Sequence, residues 1–236
     1  GLLAGILTDT DSIGYIADYP IFGMTANINA FALGVKMVNP RAKVHLAWST
    51  QKGCDPEKLF KENSVSFVSG QDLAAPRQAS RSFGLYDIRK GQMVNIAFPV
   101  WHWGKFYERI VRSIQNGRWK KAVPAQPSSS VNYWWGLSSG MIDFIVSKNI
   151  PQDTSRLLDI FKNQMVIGQF NPFQGPIWDN EGKQQCKEEE ILPPERIITM
   201  DWLAENVKGT IPTIDELTEE AKPVVRLQGV RMGDIR

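Results

Sequence analysis

The sequence predicts an α/β protein built on a doubly wound parallel sheet. Segments typical of strands alternate with helical segments through the first hundred residues. The strand segments are continuous apolar runs, as expected of parallel strands that are buried on both faces. These runs are found at 13–17, 43–48, 65–68, 85–88 and 94–98.

The helices between these strands have recognisable starts and stops. A helical period beginning at Phe22 ends at Asn39-Pro40. Asp55 is a good N-cap with Pro56 at the first helical position, which predicts a short helix to Asn63. Further helices are predicted over 2–8, 73–83 and 105–115.

The second half of the chain is less regular. A Pro/Ser-rich linker over 120–130 is followed by strands near 133–137 and 141–146. We then expect a helix over 151–168, a hairpin over 171–182 and a short helix over 200–207. From Thr210 onward the chain is charged and weakly periodic, which predicts a surface tail over 210–236.

Composition narrows the function classes. A net charge of +2 with no basic cluster argues against nucleic-acid binding. No apolar run approaches the ~18 residues of a membrane span. Two cysteines, Cys54 and Cys186, are too few for a disulfide framework and match no metal spacing, and only two histidines are present. The sequence therefore predicts no metal site and no cofactor.

One stretch suggests a binding site. Phe98-Pro99-Val100-Trp101-His102-Trp103-Gly104 places two tryptophans where a strand passes into a helix. In open α/β sheets, ligands bind at the carboxyl ends of the strands, and a fully parallel sheet brings those ends to one edge. The two tryptophans are equally compatible with a purely structural role, in which their rings pack at the end of the hydrophobic core.

Five motifs in order carry a resemblance to a known family. They are Ile13-Gly14-Tyr15-Ile16, Phe31-x-Leu33-Gly34-Val35-x-x-Val38-Asn39-Pro40, Asp55-Pro56, Pro99-Val100-Trp101-x-Trp103-Gly104 and Asn171-Pro172-Phe173-x-Gly175-Pro176-Ile177-x-Asp179-x-x-Gly182. In this order they resemble the BMP/PnrA-like basic membrane lipoproteins, which are substrate-binding components of ABC transporters for purine nucleosides or nucleobases. The resemblance runs from about Leu2 to Gly209.

The resemblance implies a type I periplasmic-binding-protein-like fold, of which this chain holds one complete lobe plus part of the other. Residues 1–100 would form the second lobe, and 101–130 a crossover helix and linker that packs with a remnant of the first. Residues 131–209 would return to the second lobe, with a hairpin and a terminal helix. The start of the chain is typical of the middle of a helix, so we expect a piece of a longer protein.

The resemblance also implies six ligand-binding residues. Gln71 and Asp72 follow the third strand, where relatives carry an acidic residue, and Asp87 ends the next strand. Trp101 and Trp103 match the family's Trp-x-Trp-Gly signature, where a ring can stack on a purine. Tyr19 lies on the first loop, where relatives also carry an aromatic residue.

Alternatives remain for several of these positions. Asp72 is equally well placed as a helix N-cap, and Asp87 as a turn residue. Before Asp55-Pro56, relatives carry an aromatic residue that stacks on the base, whereas this chain has Gly53-Cys54.

The function implied is capture of a purine-like solute between two lobes, without catalysis, and its delivery to an ABC permease. The protein would be extracytoplasmic and held at the membrane only through a lipid anchor outside this chain. A ligand-sensing domain of a regulator or receptor is the alternative with the same cleft. An enzyme acting on nucleosides would have to use His102 with Asp72 or Asp87.

Overall fold

A computed structural model describes residues 1–70, 83–117 and 134–230. Its nine strands are β1 (Ser12–Ala17), β2 (Lys43–Trp48), β3 (Phe67–Ser69), β4 (Leu85–Asp87), β5 (Val94–Trp101), β6 (Ile142–Val146), β7 (Ile177–Trp178), β8 (Gln184–Cys186) and β9 (Val207–Lys208). Its seven helices are α1 (Leu2–Leu7), α2 (Met24–Val38), α3 (Pro56–Glu62), α4 (Trp103–Gln115), α5 (Gln152–Val166), α6 (Pro194–Ile198) and α7 (Lys222–Gln228). Both counts refer to these described ranges.

Seven strands form one sheet in the order β6-β5-β4-β3-β1-β2-β9. The β1 strand is parallel to β2 and β3, and β2 is parallel to β9. Pairing is antiparallel from β3 to β4, from β4 to β5 and from β5 to β6. Consequently β5 runs in the same direction as β1, β2, β3 and β9, while β4 and β6 run in the opposite direction. The predicted α/β class is confirmed, and five of the seven strands of the sheet run in one direction.

The prediction that every strand is parallel is wrong at β4. Only residues 88–93 connect β4 to β5, and parallel neighbours need a crossover of about a dozen residues or more. The connection contains Gly91 at φ +69°, a left-handed conformation that glycine adopts without strain. β4 and β5 therefore form a hairpin, and the turn signal Lys90-Gly91 accounts for it.

The β5 strand is also longer than predicted, because it continues through Pro99 to Trp101. Leu85 of β4 pairs with Ala97, and beyond that point β5 is paired with β6 alone, Pro99 lying opposite Phe144. A strand that is bonded on one side tolerates a residue without an N–H. Trp101 is therefore the last residue of β5.

The central strand β1 is buried on both faces. On one face, Tyr15 meets Phe31 of α2 edge to face, with ring centroids 5.2 Å apart. On the other, Gly14 lets Phe60 of α3 approach so closely that a Cβ would lie 2.8 Å from its ring. The predicted cap of α3 is confirmed, since the Asp55 carboxylate accepts a hydrogen bond from Lys58 N at 3.0 Å.

The predicted helix over 200–207 is wrong, because this segment turns into strand β9. Asn29 of α2 is fully buried and binds the segment's backbone twice. Its Nδ2 donates to Trp202 O, and its Oδ1 accepts from Ala204 N, both at 2.8 Å. These bonds hold the chain in a turn, and Val207 then pairs with Val44 of β2.

The predicted surface tail is also wrong for the described residues after Thr210. Leu217, Ala221 and Val225 are buried together, and Trp48 Nε1 donates to Thr210 O at 2.8 Å. These side chains recur every four residues among the charged residues of the same segment. Within the described ranges, no helix is long and apolar enough to cross a membrane.

We expect Leu217→Ala to lower the free energy of unfolding by about 2–5 kcal/mol, the usual cost of truncating a buried leucine. Leu217 is 0% exposed, whereas Leu227, ten residues later, is 81% exposed. Leu227→Ala is therefore the matched control, and we expect it to change stability by about 0.5 kcal/mol or less. Urea unfolding of both variants measures the difference. Equal, small effects would mean that the segment is a tail after all.

Candidate functional site

The shared direction of four strands creates one edge at which a ligand can bind. The carboxyl ends of β1, β2, β3 and β5 lie at this edge, which we call the carboxyl edge. Two of its loops are fixed to each other, because Ser49 Oγ donates to the Asp18 carboxylate at 2.7 Å. Asp18 is buried. The loops after β1 and β2 are therefore held together at this edge.

Trp101 lies at the carboxyl edge, as predicted. It is 46% exposed, and its ring lies 5.4 Å from the ring of Phe83 at an interplanar angle of 39°. Phe83 precedes β4, next to Gly84, whose backbone accepts a hydrogen bond from Gly70 N at 2.7 Å. Trp101, which is exposed, and Phe83, which is half-buried, together form an aromatic pair beside the end of β3.

Trp103 belongs to a different aromatic group. It is the first residue of α4, and its ring meets Phe106 edge to face at 5.9 Å. Phe106 in turn contacts Trp135 at 5.6 Å. The two tryptophans of the Trp-x-Trp-Gly motif therefore have separate partners, and a ligand contact of Trp103 stays a prediction.

Tyr19 follows β1 at the carboxyl edge, but its side chain has packing partners. It lies against the buried cluster of Leu217, Ala221 and Val225, which belongs to the segment after Thr210. This packing explains why Tyr19 is half-buried. A contact between Tyr19 and a ligand stays a prediction.

The structure contradicts the prediction that Asp87 belongs to this site. Because β4 runs against β3, Asp87 pairs with Phe67 at the start of β3, at the opposite edge of the sheet. Its carboxylate accepts hydrogen bonds from Arg89 Nη2 at 2.7 Å and Arg89 Nε at 3.0 Å. These bonds from Arg89 lower the pKa of Asp87. Asp87 is therefore a structural carboxylate of the β4–β5 hairpin.

Gln71 and Asp72 lie outside the described residues, as does the predicted helix over 73–83 apart from Phe83. Just before them, Ser69 ends β3 at the carboxyl edge, and Gly70 follows it. The roles of Gln71 and Asp72 as ligand-binding residues stay predictions.

A cavity of about 430 Å³ adjoins this edge, and the sequence motifs did not predict it. It lies between the sheet and the helices α1, α2 and α5, and Phe83 of the aromatic pair forms part of its wall. Its aromatic lining residues are Tyr15, Phe31, Phe83, Phe98, Phe144 and Phe170. Its volume falls within the range of small-molecule pockets, about 300–1,000 Å³. These residues are spread over six segments of the chain, so no local motif unites them.

The structure does not bring His102 and Asp87 together, and Asp72 lies outside the described residues. His102 is exposed at the start of α4, whereas Asp87 lies at the other edge of the sheet. Burial raises the pKa of the Cys54 thiol, which disfavours the reactive thiolate. The described ranges also contain no group of three or more His, Cys, Asp or Glu side chains that could hold a metal ion.

Comparison with known proteins points to substrate-binding proteins of ABC transporters. Residues 1–71 match the family described as PnrA-like ABC transporter substrate-binding proteins, which confirms the resemblance found in the sequence motifs. The chain is 25% identical over 225 residues to a purine-binding protein of Brucella abortus, covering 90% of this chain and 62% of that protein. It is also 25% identical over 229 residues to a protein of Haloferax volcanii named as an ABC transporter glucose-binding protein, covering 90% and 53%. The chain therefore spans less than two thirds of the length of either relative.

We expect Asp87→Asn to leave solute binding unchanged and to lower stability at pH 7 by about 1 kcal/mol. The figure is small because the Arg89 guanidinium is 40% exposed and solvent screens the pair. The native pKa of Asp87 is lowered, so its carboxylate stabilises the fold above the unfolded value of about 3.9. That contribution is lost as the pH falls through the native pKa.

Urea unfolding at pH 7 and pH 3 measures this change. The stability difference between the wild type and Asp87→Asn should shrink at the lower pH. Weaker solute binding by Asp87→Asn with unchanged stability would return Asp87 to the site.

Proposed function

We propose that the protein is the solute-binding component of an ABC transporter and that its solute is a purine nucleoside or nucleobase. The observation that carries the proposal is the Trp101–Phe83 pair at the carboxyl edge, in which the Trp101 ring is exposed and Phe83 lines an apolar cavity. The match of residues 1–71 to PnrA-like substrate-binding proteins supports the transport role.

The chemistry of the edge favours a flat aromatic solute. A purine ring that stacks on Trp101 would gain about 1–3 kcal/mol, the usual value for base–aromatic stacking. Among the described residues that line the cavity, polar side chains are few: Tyr15, Asn27 and Ser69. A bare sugar needs a hydrogen-bond partner for most of its hydroxyls, so this lining suits a nucleobase better than glucose.

In this proposal, residues that follow β3 make the polar contacts with the solute. Gln71 and Asp72 come directly after Ser69-Gly70 in the chain. A carboxylate at Asp72 would accept charge-assisted hydrogen bonds from ribose hydroxyls or base N–H groups. Stacking would thus supply affinity, and the carboxylate would orient the solute.

In this proposal the protein binds its solute and catalyses no reaction. Its partners are the solute and an ABC permease, and it works outside the cytoplasm, held by a lipid anchor outside this chain. The description of the matched family as substrate-binding proteins and the separation of His102 from Asp87 support the non-catalytic role.

We expect Trp101→Ala to weaken the binding of adenosine or guanosine by about 5- to 150-fold, since it removes one stacked ring. Trp178→Ala is the matched control, because Trp178 is exposed to a similar degree on the β7–β8 hairpin, away from the carboxyl edge. Isothermal titration calorimetry of the complete gene product, with adenosine, guanosine, adenine and glucose, measures the affinities.

Two results would contradict the proposal. One is an equal loss of affinity in the Trp101 and Trp178 variants, which would remove the stacking site. The other is tighter binding of glucose than of any purine, which would overturn the solute class while leaving the transport role standing.

A further inference from the structure

The apolar cavity beside the carboxyl edge extends from that edge into the hydrophobic core. Ser69, at the end of β3, and Phe83 line it close to the place where the rings of Phe83 and Trp101 meet. Leu3 of α1 and Leu158 of α5 also line it, and both are buried members of the core. A flat ring that stacks on Trp101 therefore lies at one end of the cavity and does not fill its volume of about 430 Å³.

The last turns of α5 form part of the cavity wall near the carboxyl edge. Lys162 Nζ donates to the Asp143 carboxylate of β6 at 2.6 Å, and Asp143 pairs with Val100, the neighbour of Trp101 in β5. Met165, three residues further along the helix, lines the cavity. Met165 therefore lies at the end of the cavity where a solute on Trp101 would meet it.

The lining of the cavity suits an apolar group rather than the polar parts of a nucleoside. No residue that lines it in the described part of the chain has a charged side chain, and its polar side chains are those of Tyr15, Asn27 and Ser69. A ribose hydroxyl that is buried without a hydrogen bond weakens binding, so the ribose is better placed outside the cavity. An alkyl or aryl group strengthens binding there, because it leaves water for contact with aromatic and aliphatic side chains.

The shape of a purine determines which of its positions can carry such a group. In adenosine, the exocyclic amine lies diagonally across the ring system from the nitrogen that carries the ribose. When the ring stacks on Trp101 with its ribose directed away from the cavity, the exocyclic amine is the position that faces the cavity. A group attached to this amine can therefore enter the cavity without displacing either the ring or the ribose.

We propose that the cavity binds an apolar group carried on the exocyclic amine of the solute, so that the preferred solute is an alkylated or arylated adenine or adenosine. This inference rests on the proposed function, since it requires that a purine ring stacks on Trp101. The apolar group passes between Phe83 and Met165 and displaces water from the cavity. The ribose and the remaining polar atoms of the base stay outside.

Isothermal titration calorimetry of the complete gene product with adenine, 6-benzylaminopurine and 9-benzyladenine tests this inference. The two benzyl compounds are isomers, and in 9-benzyladenine the benzyl group occupies the position of the ribose. We expect 6-benzylaminopurine to bind about 10- to 150-fold more tightly than adenine, which is the gain expected from burying one phenyl ring. We expect 9-benzyladenine to show no such gain.

A matched pair of variants on α5 locates the apolar group. Met165→Trp places an indole ring in the cavity, whereas Val166→Trp changes the next residue, which is 37% exposed and does not line the cavity. We expect the ratio of the affinities for 6-benzylaminopurine and adenine to fall to near one in Met165→Trp. The same ratio should keep its wild-type value in Val166→Trp. The isomer pair tests the inference independently of either variant.

Three results would overturn the inference while leaving the proposed function standing. The first is equal affinity of the wild type for 6-benzylaminopurine and adenine, and the second is an equal gain for 9-benzyladenine. The third is a gain that survives unchanged in Met165→Trp. If none of the purines binds, the proposed function fails, and this inference fails with it.

Discussion

The candidate site depends on the common direction of β1, β2, β3 and β5. Parallel pairing of β1 with β2 and β3 brings three strand ends to one edge, and two successive antiparallel pairings restore that direction in β5. Because β4 reverses the chain direction and β5 reverses it again, Trp101 lies at the edge where β3 ends. The same reversal sends Asp87 to the other edge, where Arg89 neutralises it.

Local signals in the sequence predicted the elements that depend on neighbouring residues. The Asp55-Pro56 cap and the β7–β8 hairpin around Asp179 to Gly182 formed as expected, because cap and turn chemistry acts over a few residues. The direction of a strand is harder to predict, because it depends on whether the connection before it is long enough to cross the sheet. The short turn at Lys90-Gly91 is the feature that indicates antiparallel pairing of β4 with β5.

Other features depend on contacts between distant residues. Asn29 of α2 determines that residues 202–204 turn rather than form a helix, across more than 170 positions of the chain. The burial of Leu217 and Val225 depends on a cluster that also receives Tyr19. The cavity wall likewise combines Phe31, Phe98 and Phe170. Of the site itself, the sequence predicted Trp101 at the edge, but it could not predict Phe83 as its partner.

Stacking at the carboxyl edge is the proposed basis of solute recognition, and photolabelling with 8-azidoadenosine tests it. After irradiation and trypsin digestion of the complete gene product, we expect the label on the peptide from Gly91 to Lys105, at Trp101, and its loss when excess adenosine is present. Tandem mass spectrometry of the labelled peptide gives the labelled residue, because Asp87 shares a tryptic peptide with Phe83 and Asp9 shares one with Tyr19. A label that adenosine displaces from Asp9 or Asp87, at the opposite edge of the sheet, would contradict recognition by stacking at the carboxyl edge.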